Sequence, residues 1–222
     1  MNYKYDILGT ELEMIDSITD LGVIFDANLN FSKHIQNLCQ KARCSSLTIL
    51  RCFYSRKPEL LFRAFATYTR PIVEYCSPVW NPYRLSDIRK IEKIQRKFTK
   101  RLCGMKNISY MERLKILKAD TLEMRRLKAD LILYYKIIHG LVSISASSFF
   151  KFREGNSTRG HSLTIYKDSC KNNIEKYTFK NRSVNLWNKL PSNIVNAPNL
   201  KSFKCLLEKL PVKLIAPFLM IK

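Results

Sequence analysis

The sequence predicts a mainly α fold: a helical bundle led by one short strand and followed by a small α(+β) module. Three observations predict it. Apolar residues recur at helical spacing over most of residues 31–141, and capping residues with Pro and Gly punctuation divide that pattern into separate helices. With 222 residues, 46% hydrophobic and 11% aromatic, the chain has both the size and the side chains to bury a core.

Ile18–Phe25 (ITDLGVIF) is apolar and β-branched around one Gly and runs into Asp26-Ala27-Asn28, which predicts a strand ending in a turn. From Phe31 the period changes. Phe31, Ile35, Leu38, Ala42, Ile49 and Phe53 fall at helical spacing, with Ser32 placed as N-cap. Pro58 suits the first turn of the next helix, whose face of Leu61, Ala64, Phe65 and Tyr68 continues until Pro71 interrupts it near Arg70. Tyr75–Tyr83 (YCSPVWNPY) carries two prolines at non-helical positions and predicts an ordered connection, anchored by Tyr75, Trp80 and Tyr83.

Leu85, Ile88, Ile91, Gln95, Phe98 and Leu102 form the next stripe, with Ser86 as its cap and Gly104 as a left-handed C-terminal residue. Capping boxes at Ser109/Glu112 and Asp120/Glu123 open two more helices, the second running through Leu127, Leu131, Tyr134 and Ile138 to Gly140. Small polar residues then mark a linker. Beyond it, Leu163–Tyr166 and Tyr177–Phe179 are expected to pair as strands, and Asn181–Leu190 and Leu200–Leu210 to be helices with Trp187 in their core. The expected organisation is an N-terminal strand region at 1–30, a basic helical domain at 31–142, a linker at 143–160, a small module at 161–210 and a tail at 211–222.

Charge narrows the function. Thirty-nine Lys and Arg face eighteen Asp and Glu, a formal charge of +21, and Lys4 is the one base among the first thirty residues. The cationic surplus therefore lies beyond residue 30, where it attracts phosphate polymers before any other partner. Seven widely spaced cysteines, an odd number with no CxxC, argue against a disulfide framework or a zinc site and are expected as buried thiols. The opening MNYKYDILGTELEM lacks the apolar stretch of a signal peptide, so an intracellular protein of cytoplasm or nucleus is expected. The tail is apolar, but its twelve residues with two prolines fall short of the roughly 20 that span a bilayer, and no membrane partner is expected. The glycines are scattered without a phosphate loop, so no small-molecule substrate is expected.

Six stretches stand out: DLGVIFDANLNFSKHI (Asp20–Ile35), YTRPIVEYCSPVWNPY (Tyr68–Tyr83), DIRKIEKIQRKFTKRLCGMKNISYMERLKIL (Asp87–Leu117), TLEMRRLKADLILYYKIIHGL (Thr121–Leu141), TRGHSL (Thr158–Leu163) and FKNRSVNLWNKLPSNIVNAPNLKSFK (Phe179–Lys204). Together they resemble the C-terminal part of the reverse transcriptase of non-LTR retrotransposons of the chicken-repeat and jockey type. The resemblance implies that residues 1–30 are the remnant of a polymerase palm with its closing strand, and that residues 31–142 are a thumb-like domain gripping template and primer. The C-terminal module resembles a family region of undefined role.

In that family, magnesium ions held by palm aspartates carry nucleotidyl transfer, and such two-ion centres need carboxylates set for metals about 3.5–4 Å apart. This sequence has no two adjacent acidic residues. The expectation is a truncated RNA-directed DNA polymerase fragment with no catalytic residue, no metal site and no cofactor of its own. It would bind RNA or DNA backbone, and the missing palm and fingers are further expected partners. The competing expectation is a helical protein-interaction remnant that docks on the rest of a polymerase or on a host protein.

The candidate interface lies in Arg84–Lys128, where fifteen bases meet five acids. Arg89, Lys90, Lys93, Arg96, Lys97, Lys100 and Arg101 fall away from the Ile91 and Phe98 stripe and can present successive cations to phosphates. Arg125 and Arg126 add a second cluster suited to forked phosphate contacts, although pairing with Glu123 or Asp130 along the helix competes. His34 and His139 have no acid or Cys at catalytic spacing, and His161, beside Arg159, is a lesser candidate for phosphate contact.

Overall fold

The computed structural model describes residues 5–153 and 161–210, with residues 215, 218 and 219. Its architecture is mainly helical. Two short antiparallel hairpins, β1 (Asp6–Ile7) with β2 (Thr10–Glu11) and β3 (Ser17–Asp20) with β4 (Val23–Asp26), precede the helices. The single strand expected over Ile18–Phe25 is thus a hairpin. Leu21 and Gly22 both take positive φ, 45° and 82°, which suits a two-residue hairpin turn, and the Tyr75 hydroxyl ties this turn down by donating to the Leu21 carbonyl at 3.1 Å.

Asp26 organises the entry to α1 (Ser32–Cys52). Its carboxylate accepts the backbone N–H groups of Asn28, Asn30 and Phe31, so Phe31 enters in the left-handed region at φ 57°. Ser32 is therefore the first helical residue and not the N-cap. Its hydroxyl donates to the Asp87 carboxylate at 2.9 Å instead. The α1 face of Ile35, Leu38, Cys39, Ala42 and Ile49 is buried as its spacing requires.

α2 (Pro58–Ala64) starts with proline in its first turn. A π-type turn at Phe65–Thr69 and a 3₁₀ turn at Arg70–Val73 follow, a change of pitch where Pro71 cannot donate to the ladder. The Tyr75–Tyr83 connection contains α3 (Ser77–Trp80). Of its three expected anchors Trp80 is fully buried, with its indole N–H on the Tyr75 carbonyl at 2.7 Å, while Tyr83 is half-buried and Tyr75 is exposed.

α4 (Leu85–Lys100) begins at Leu85 after an extended Arg84, so Ser86 lies inside the first turn and does not cap it. α5 (Tyr110–Ile116) opens on the predicted Ser109/Glu112 capping box. α6 (Leu122–Ile138) is capped by Thr121, whose hydroxyl accepts from Met124 N at 3.1 Å. Asp120 was the expected cap, but its carboxylate is taken by Lys128 at 2.7 Å. Glu92, 1% exposed, supplies the rest: its two oxygens accept from the N–H groups of Leu122 and Glu123, each at 3.2 Å, and from the Tyr110 hydroxyl. A carboxylate at a helix N-terminus also complements the helix dipole.

Short helices follow: α7 (Ala146–Phe149), α8 (Asn173–Tyr177), α9 (Phe179–Arg182), α10 (Val184–Asn188), α11 (Ser192–Val195) and α12 (Leu200–Glu208). The strand pair expected between Leu163–Tyr166 and Tyr177–Phe179 does not form. Ile165 bridges Phe152, and the Asn188 side chain holds both backbone groups of Ile165, while Tyr177 and Phe179 are helical. The expected Asn181–Leu190 helix is divided between α9 and α10. Residues 154–160 of the expected linker and most of the tail lie outside the described residues.

Two apolar clusters fill the interior. The first joins α1, α2 and α4 and ends at Leu122; the second begins at Met124 and gathers α6 with the C-terminal segments around Tyr134, Trp187 and Phe203. α6 is their common wall. Asp130, fully buried, accepts a forked pair from Arg182 at 2.7 and 2.8 Å and the Ser183 hydroxyl at 3.2 Å, which fixes α9 against α6.

Glu92→Ala removes a side chain that ties α4, α5 and the start of α6, leaving buried donors unmet. It should destabilise the chain by about 3 kcal/mol in urea unfolding, whereas Lys93→Ala on the outer side of α4 should change stability by less than about 0.5 kcal/mol. His34 gives a pH signature. Burial, with Lys41 adding, lowers its pKa below the ordinary 6.5, while its Nδ1 accepts from Ile24 N at 3.3 Å. The unfolded chain therefore binds the extra proton first, and stability should fall as pH drops below 6.5 toward the folded value. Urea midpoints across pH 5–8 should show this slope, and His34→Gln should flatten it.

Candidate nucleic-acid interface

α4 is divided along its length. Ile88, Ile91, Glu92, Ile94, Gln95, Phe98 and Thr99 are buried, and Arg89, Lys90, Lys93, Arg96, Lys97, Lys100 and the following Arg101 are all exposed. The seven candidate cations on this helix thus share its solvent side. Within that side they form two flanks. Lys90, Lys93, Lys97 and Arg101 run along the cleft between α4 and α1, about one cation per 5.4 Å turn. Arg96 lies on the other flank with its guanidinium over the Tyr110 ring at 4.7 Å.

The cleft is a cavity of about 100 Å³. Its apolar floor comes from Leu47, Leu50, Ile94 and Phe98, and Arg43 of α1 adds a fifth cation opposite the α4 row. Among the described residues no carboxylate lines it. Lys90 of this row is held by an acid, Asp87 at 2.8 Å. Cationic rims over a low-dielectric floor concentrate positive potential, which favours a phosphate chain lying along the groove. The sequence reading missed Arg43. It sits one residue past the buried Ala42, and its relevance depends on α1 packing beside α4, which spacing within one helix does not reveal.

Arg125 and Arg126 do not join this face. Arg125 forms a forked ion pair with Glu74, which raises its pKa and engages the donors a phosphate would need. Arg126 is 1% exposed. Its Nε donates to Asn81 Oδ1 at 3.0 Å, and its Nη1 and Nη2 have no hydrogen-bond partner among the described residues. His161 is likewise buried, with Nε2 on the Trp187 carbonyl at 3.0 Å, and Arg159 lies outside the described residues.

The acids are dispersed. No group of three His, Cys, Asp or Glu side chains that could hold a metal ion is found among the described residues. The cysteines are all free, and Cys39 alone is buried, its thiol pushed up to about 11 by desolvation. The expectation of buried thiols therefore holds at one position; Cys44, Cys52, Cys103 and Cys205 face solvent on helix faces or turns that no core covers. No helix among the described residues is long and apolar enough to cross a membrane.

No family model matches the chain, and no solved structure matches it. An uncharacterized protein of Caenorhabditis elegans is similar to it, 28% identical over 128 residues, which cover 56% of this chain. The match spans 65% of that relative's length, just under two thirds.

Proposed function

We propose that this chain binds the sugar-phosphate backbone of RNA or DNA without sequence preference. The exposed cation row of α4, facing Arg43 across an acid-free cleft, carries that reading. Phosphate contacts position a protein on a duplex but carry no base information, and a single row of long, flexible side chains on a helix surface fits that task. The resemblance to non-LTR reverse transcriptases gives the row a role, the thumb of a polymerase fragment holding template and primer. In that role the chain grips nucleic acid and does not copy it, and it works inside the cell, in cytoplasm or nucleus.

A second reading has its own observation. Ile7, Leu8, Leu12, Met14, Ile15, Ile18 and Leu21 are exposed large apolar residues in the N-terminal hairpin region. A surface of this kind suits docking on another protein, such as the palm and fingers of a polymerase or a host protein. The two readings differ in their response to salt and charge.

Filter binding of a random duplex across salt concentrations tests the first. With about six phosphates neutralised, log K should fall against log salt with a slope near −5. Replacing Lys93, Lys97 and Arg101 by Glu should reduce the slope to about −2 to −3 and weaken retention at least tenfold, with the circular dichroism of a folded chain. A salt-independent affinity would refute backbone binding. Protein docking unaffected by the triple replacement would favour the second reading.

A further inference from the structure

Between α6 and the C-terminal segments lies a cavity of about 160 Å³. Arg126 is among the residues that line it, almost fully buried, and its Nη1 and Nη2 have no hydrogen-bond partner among the described residues. Buried donors in folded chains are nearly always satisfied, and unmet ones on a residue beside a cavity point to a group that occupies it. The remaining Nε is fixed by Asn81, so the fork has a set orientation.

Charge identifies the occupant. Four cations line the cavity, Arg126, Lys167, Lys176 and Arg182, against two carboxylates, Glu123 and Asp130. Asp130 is already held by both Arg182 nitrogens and by Ser183. Arg182 in turn uses its other donors on the Pro78 and Tyr177 carbonyls. The surplus of about two positive charges matches a phosphate group, which carries roughly −1.5 to −2 near neutral pH. Guanidinium forks recognise its oxygens through paired N–H contacts. Desolvation lowers the Arg126 pKa, and an anion beside it would offset that cost.

We propose that this cavity is a binding site for a single phosphate group, with the Arg126 fork as its central ligand and Lys167 and Lys176 as supporting cations. The site shares no residue with the α1–α4 cleft and stands independently of nucleic-acid binding there. The phosphate is either free or the terminal group of a phosphomonoester.

Isothermal titration of the full chain at fixed ionic strength, set with chloride, tests both sources using inorganic phosphate and glycerol phosphate. One saturable site per chain is expected for at least one of them, with acetate at least tenfold weaker. Tighter binding of inorganic phosphate identifies a free ion, and tighter binding of glycerol phosphate identifies an ester. Arg126→Gln should weaken binding at least tenfold. Because that change is in the interior, Lys167→Ala with Lys176→Ala supplies a variant outside the core, expected to lose at least fivefold while unfolding like the parent. The Lys93, Lys97 and Arg101 replacements should weaken duplex retention at least tenfold while keeping the stoichiometric phosphate site. Absence of saturable binding by both anions, equal affinity for acetate, or a double-lysine variant that binds like the parent would overturn the proposal. Loss of binding in the α4 variant would assign the anion to the surface cleft and overturn it too.

Discussion

The rotation of α4 about its own axis decides what this protein presents to solvent, and Glu92 holds that rotation. A helix packed through Ile91, Ile94 and Phe98 alone could slip, since apolar contacts have little directional preference. Glu92 removes the freedom. Its oxygens meet the Tyr110 hydroxyl and two N–H groups at the start of α6, so the carboxylate must point inward and the lysines on the opposite arc must point outward. Gln95 repeats the constraint one turn on, donating to the Tyr110 hydroxyl at 3.1 Å and the Asp120 carbonyl at 2.9 Å. The buried Glu92–Tyr110 contact also pushes the tyrosine pKa upward, through desolvation first and the adjacent carboxylate second, so the phenol stays a donor at any physiological pH.

From that anchor the structure passes to α6, whose start belongs to the first apolar cluster and whose body belongs to the second. Polar contacts, not only apolar ones, bind the C-terminal segments to it. Asp130 takes Arg182, and Arg182 also reaches the Pro78 carbonyl at 2.7 Å, so one guanidinium spans α9, α6 and the connection that carries Trp80. The Tyr134 hydroxyl donates to the carbonyls of Phe179 and Lys180, and the Tyr135 hydroxyl to that of Ala197 at 2.6 Å. A buried charge pair of this kind is costly to break from one side because the surviving charge stays desolvated.

The helical core was legible because its signal is periodic and local. The stripes of α1 and α4, the Pro58 start and the Ser109/Glu112 box each depend on residues within a few turns of one another. What was illegible depends on partners far along the chain. Ser32 is displaced from its cap because Asp87, 55 residues away, takes its hydroxyl, and the start of α6 is served by Glu92, 30 residues before Leu122. The strand pair in the C-terminal module gave way to Asn188, whose amide satisfies Ile165 as a neighbouring strand would. The same limit governs the site. The exposure of all seven α4 and post-α4 cations was readable from one helix, whereas adjacent Arg125 and Arg126 turn to Glu74 and Asn81, partners on other segments.

The distribution of acids explains how a chain with so few of them acquires a one-sided field. Three of the cations drawn into the fold take carboxylates with them: Glu74 pairs with Arg125, Asp120 and Glu208 with Lys128, and Asp130 with Arg182. Glu92 is spent on backbone donors, and Asp87 is shared between Ser32 and Lys90. Each of these acids already meets a partner, and the buried charges among them need one far more than solvated charges do. The exposed cations of the cleft, of which Lys90 pairs with Asp87, tolerate one another because water and salt screen their mutual repulsion over a Debye length of about 8 Å. The interior's demand for negative charge thus leaves the α1–α4 cleft lined by Arg43, Lys90, Lys93, Lys97 and Arg101, with the acids of the helical core turned to other contacts.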